Sequence, residues 1–208
     1  MTASILDIYL SWMSTATLCN TSPLPRTARV VVAGAPHHVT QRGNDRRQVF
    51  LDDRRVLGFC LMPNHVHLIV IPATDKSMGR AIGRAHYAFT QSWCKAHGHS
   101  GHLWQGRYYS TPLDADHLVA ALTYVDLNPL RARIVASAQE YAWSSARAHI
   151  SGCDPHGILD LDWWKESRLG EDWEARLSVK LDDKVVAELR DATRSGQPTW
   201  KVAVDSQG

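Results

Sequence analysis

Residues 56–71 constrain the fold more than any other part of the chain. An apolar, β-rich run from Val56 to Met62 is broken by Pro63-Asn64, and a second run follows from His65 to Ile71. Two such runs around a two-residue break read as a hairpin. In the second run alternate side chains share a face, so His65 and His67 point one way and Val66 and Leu68 the other. Two imidazoles side by side on a rigid strand are half of a metal site. On their own they are equally a strand with two exposed histidines.

The flanking segments supply an α+β pattern. Residues 36–42 read as an earlier strand, ended by Gly43-Asn44-Asp45. In residues 76–96, Met78, Ile82, Ala85, Phe89 and Trp93 recur at spacings of three and four. That predicts a helix capped by Ser77, with Arg80 and Arg84 on its polar side and Lys95 in its last turn. Residues 103–110 lead into another strand. Asp114 then caps a second helix with Leu118, Ala121, Leu122 and Val125 inward, ending near Asn128 because a residue before proline avoids helical angles.

Tyr124 and Asn128 lie four apart at the edge of that stripe, stacked on one face, with the phenol at a rim where its hydroxyl stays free. If this helix packs over His65 and His67, two nitrogens and an amide oxygen converge beside the phenol. Coordination positions then remain open, as a catalytic metal requires. Such a set suits phosphodiester cleavage with tyrosine attacking phosphorus. A free phenol has a pKa near 10, so only about a thousandth is ionised at neutral pH. The cation would act mainly on charge at phosphorus. Alone, Tyr124 is also an ordinary core-edge tyrosine.

At 208 residues the chain suits one domain with extensions. Its net charge of +2 hides a dipole: residues 24–113 hold twelve Lys/Arg against four Asp/Glu, and residues 154–191 hold eleven acids against six bases. A basic half beside an acidic half reads as a polyanion-binding face with an acidic tail. Cys19, Cys60, Cys94 and Cys153 form no C-x-x-C, which points away from disulfides and cysteine zinc sites and towards a reducing cytoplasm. Residues 1–25 lack the positive n-region of a secretory signal, and no apolar run reaches membrane-spanning length. The expected division is a disordered extension over 1–25, a catalytic domain over 26–150, and an acidic, partly helical tail over 151–208.

Five motifs occur in order: residues 36–44 (PHHVTQRGN), 60–67 (CLMPNHVH), 103–107 (LWQGR), 124–132 (YVDLNPLRA) and 143–145 (WSS). Together they resemble the REP-associated tyrosine transposases, a branch of the single-tyrosine HUH, IS200-like transposases. The likeness covers about residues 25–150, more weakly to about 198. It implies a ferredoxin-like HUH domain with an antiparallel sheet and helices on one face. The implied activity is cleavage and joining of single-stranded DNA near hairpins through a 5′-phosphotyrosine intermediate. Residue by residue, it implies Tyr124 as nucleophile and His65, His67 and Asn128 as ligands of Mg2+ or Mn2+. The implied partner is single-stranded or hairpin DNA, bound by a monomer or homodimer that is cytoplasmic and nucleoid-associated.

DNA contacts follow from residue type as well. Arg42, Asn44, Arg46 and Arg47 could read bases or hold phosphates after the first strand. Arg80, Arg84, Lys95 and Arg107 supply phosphate charge, and Trp104 could stack on an unpaired base or simply pack. The chain departs from the family where a covering helix usually joins the first strand to the hairpin. A parallel crossover needs about a dozen residues or more, so the helix is expected to be deleted, with the first strand paired differently or unattached and one sheet face exposed. The alternative function is then a catalytically impaired DNA-binding remnant.

Overall fold

The computed structural model describes residues 29–41, 55–98, 100 and 103–199. The expected N-terminal extension, the crossover segment and Arg42, Asn44, Arg46 and Arg47 lie outside these residues.

Strands β1 (His37–Gln41), β2 (Arg55–Met62), β3 (His65–Ile71) and β4 (Tyr109–Pro112) form one sheet in the order β2-β3-β1-β4. Every neighbouring pair is antiparallel, and Met62 stands opposite His65 across the Pro63-Asn64 turn. This is the order of a ferredoxin-like α+β sheet. β1 is central, paired to β3 on one side and β4 on the other, so it is neither displaced nor unattached.

Register sorts the side chains. His38 opposes Ile69 and Thr111, Thr40 opposes His67, and Cys60 opposes His67 from the other side, so these residues share one face. Val39, Leu68 and Val70 share the other. The first face is covered by α2 (Ala115–Asp126) and by the C-terminal elements α4 (Ala146–Ser151), α5 (Leu161–Glu166), α6 (Trp173–Leu177) and α7 (Asp183–Ser195). A one-turn helix α3 (Asn128–Arg131) follows α2.

Helices on one face describes α2 and α7 but not α1 (Ser77–His97), whose Met78 and Ile82 pack with Val39, Val56 and Val70. The central strands are apolar on both sides, and both sides therefore need cover. The expected bare face is absent among the described residues: Val39, Val56 and Val70 are buried beneath α1, with Ile158 and Leu159 at its margin. Ser77 does not cap α1 from outside; it is the first helical residue and exchanges hydrogen bonds with Thr74.

The acidic C-terminal stretch is helical, yet it is more than a solvated tail. Trp164, Trp173, Leu177, Val186 and Leu189 join Leu57, Ile69 and Leu122 in the larger core. Residues 143–145 close the open edge of β2: Leu61 N donates to Trp143 O at 2.8 Å and Ser145 N to Phe59 O at 2.9 Å.

Candidate active site

The H-x-H pair sits at the start of β3 on the α2 side of the sheet. The His65 and His67 rings meet edge to face with centroids 4.8 Å apart. Asp114 starts α2 by accepting from His117 N at 2.9 Å, and Tyr124 lies on the third turn with its ring 5.4 Å from that of His67. Asn128, one turn further, is buried, and its amide nitrogen has no hydrogen-bond partner among the described residues. The structure thus brings His65, His67 and Tyr124 together, with Asn128 at the start of the next helix, α3.

Tyr124 is only 5 % exposed, which differs from the open rim expected. Helix α7 lies across α2, and Arg190 Nε donates to the phenol oxygen at 3.5 Å. The Arg131 guanidinium stands 5.0 Å from the ring centroid and that of Arg190 5.9 Å, so two cations stand near the phenol. Neither arginine was singled out from sequence as a site residue. Arg190 sits in the acidic stretch, where nothing local marks it.

Each histidine has an oriented ring. His65 Nδ1 donates to Asn64 Oδ1 at 2.6 Å, which makes Nε2 its basic nitrogen. His67 Nδ1 is 3.0 Å from His38 Nε2, and its buried Nε2 has no partner among the described residues. Burial, then neighbouring His38, His65, Arg190 and Arg131, hold His67 well below its ordinary pKa and so keep it neutral. Burial likewise lowers His38 to about 4.

Among the described residues, no group of three or more His, Cys, Asp and Glu is placed to hold a metal. Two imidazoles and an amide oxygen are a different donor set, and it fits a divalent cation: His67 Nε2 is a buried ring nitrogen lacking the partner that burial normally demands, and Asn128 would contribute Oδ1. Mg2+ and Mn2+ accept such nitrogen and oxygen donors while keeping waters.

Between Tyr124 and Asn128, Asp126 anchors the helix. Its wholly buried carboxylate accepts from Ser145 Oγ (2.6 Å), His149 Nδ1 (2.7 Å) and Trp173 Nε1 (2.9 Å). Ser145 also accepts from Phe59 N, and His149 Nε2 donates to Leu57 O, so this network bolts α2 to β2.

The proposed DNA contacts are more dispersed. Arg80, Arg84 and Lys95 are exposed on α1, on the opposite face of the sheet from Tyr124. Arg107 is exposed in the loop before β4. Trp104 packs on α1: its ring stacks on His86 at 3.9 Å and its Nε1 donates to Thr90 Oγ1 at 3.1 Å, leaving it half-buried.

Residues 37–128 match the family model described as "Transposase IS200 like", a span that starts with β1 and ends on Asn128. A solved structure described as "Structure of the REP associates tyrosine transposase bound to a REP hairpin" is similar over 67 % of this chain and 91 % of that one, at 16 % identity and a TM-score of 0.49. No curated protein sequence matches. No helix among the described residues is long and apolar enough to cross a membrane. Over residues 37–128, the span from β1 to Asn128, the chain is similar to the IS200-like transposases.

Proposed function

We propose that the chain cleaves and rejoins single-stranded DNA beside hairpins, with Tyr124 as nucleophile and His65, His67 and Asn128 as ligands of Mg2+ or Mn2+. The observation that carries this reading is the Tyr124 ring edge-on to the His67 ring at 5.4 Å. When bound, the cation polarises a phosphoryl oxygen and offsets charge at phosphorus. Tyr124 Oη forms the new bond to phosphorus and gives up its proton to solvent. The bond from phosphorus to the 3′ oxygen breaks, and that oxygen leaves as a hydroxyl after taking a proton. Rejoining reverses these steps. Arg131 and Arg190 face the phenol and hold the negative charge of the incoming phosphate.

The test is incubation of folded protein with labelled hairpin DNA and Mn2+. A denaturation-resistant adduct, absent in Tyr124→Phe, supports the reading. Salt-sensitive hairpin binding without any adduct identifies a DNA-binding remnant instead.

A further inference from the structure

A chain of hydrogen bonds reaches from α7 to the metal-facing histidine. Thr193 Oγ1 lies 2.7 Å from Leu189 O. A carbonyl cannot donate, so the hydroxyl proton is taken by that bond. His38 Nδ1 lies 2.9 Å from the same Thr193 oxygen, which can only accept, so His38 carries its proton on Nδ1. In the neutral ring Nε2 is then a lone pair, and it faces His67 Nδ1 at 3.0 Å. His67 is therefore protonated on Nδ1, with Thr40 Oγ1 at 3.4 Å as a second, longer acceptor. The lone pair of His67 is left on Nε2, the buried nitrogen without a partner among the described residues.

We propose that Thr193 and His38 are positioning residues that lock His67 in the Nδ1–H tautomer, so that Nε2 is presented as the ligating nitrogen. Ligating histidines characteristically donate the other ring N–H to a fixed partner, and removing that partner weakens metal binding about 10–100-fold. Here the partner is a second imidazole, itself oriented by a hydroxyl 155 residues away in sequence. The same bonds would set the tautomer in a purely structural network, so the Mn2+ affinity is the readout that a structural role alone would not move. The metal half of the proposal rests on the function proposed above; the tautomer half does not.

The experiment uses the full chain, 15N-labelled and metal-free, with long-range imidazole 1H–15N correlations, followed by Mn2+ titration. Wild type is expected to show His67 protonated on Nδ1. Thr193→Val should mix the two tautomers and weaken Mn2+ binding about tenfold or more, and Thr193→Ser should restore both. Should Thr193→Val not fold, His38→Phe gives the same readout. A wild-type His67 protonated on Nε2 overturns the proposal. So does a folded Thr193→Val or His38→Phe with unchanged tautomer or unchanged Mn2+ affinity. If wild type binds no Mn2+, the metal reading and the ligating role both fall, and the tautomer measurement still decides whether the relay exists.

Discussion

A side-chain carbon on Gly58 would stand 2.8 Å from Leu122 Cδ2, with His149 Cε1 and Ser145 Oγ at 3.4 Å. Gly58 lies on β2 beside an irregularity at Leu57, and Leu122 is fully buried on α2 two residues before Tyr124. The helix that carries the phenol approaches the sheet this closely because residue 58 has no side chain. Gly58→Ala is therefore expected to destabilise the fold by about 1–3 kcal/mol through overpacking. A thermal melt checks this, and adding Leu122→Val should recover part of the loss.

Asp126 is the second anchor of that helix. Asp126→Ala leaves the Ser145, His149 and Trp173 donors without their acceptor in a dry interior. Each buried donor left unsatisfied costs about 1–3 kcal/mol, which over these donors is a large part of a domain's usual stability of about 5–15 kcal/mol. Urea denaturation should show a midpoint shifted far down or no cooperative transition.

Acid should weaken the fold well before the carboxylates titrate. Burial lowers His38 and His86 to about 4, whereas an unfolded histidine titrates near 6.5. Between these values the unfolded chain binds more protons than the folded one, so stability falls as pH drops from about 6.5 to about 4. His37 and His67 shift in the same direction, also led by burial. Melts across this range should show the decline, and His86→Gln should make it shallower.

Arg190→Ala tests the cation beside the phenol. Losing one donor aimed at developing charge lowers rates on the order of 100-fold, while the cation–π contact to this buried ring is worth up to about 2 kcal/mol. The expected result is slow adduct formation by a protein that still folds and melts cooperatively, with a lowered midpoint. A normal rate would remove Arg190 from the reaction.

What could be read from sequence was local. Alternation placed His65 and His67 on one face, and i to i+4 spacing stacked Tyr124 with Asn128. The hairpin, the two main helices and the strand before Asp114 follow from similarly short-range patterns. The His38 contact to His67 depends on the register of β1 against β3, and Thr193 arrives from the far end of the chain; neither leaves a local trace. Charge also misdirected the reading of the C-terminal stretch. Its acidic excess lies on the outer faces of amphipathic helices whose inner faces carry Trp173, Val186 and Leu189 into the core. The unbroken apolar run Ile69-Val70-Ile71 was the available sign that both faces of the sheet would be covered.

Mass-spectrometric mapping of the protein after incubation with hairpin DNA and Mn2+ tests the central claim most directly. The account predicts a single nucleotide-bearing peptide, with the DNA 5′ phosphate esterified to Tyr124 and a free 3′ hydroxyl on the released strand. Attachment to any other residue, or cleavage by folded protein without a covalent product, would contradict it.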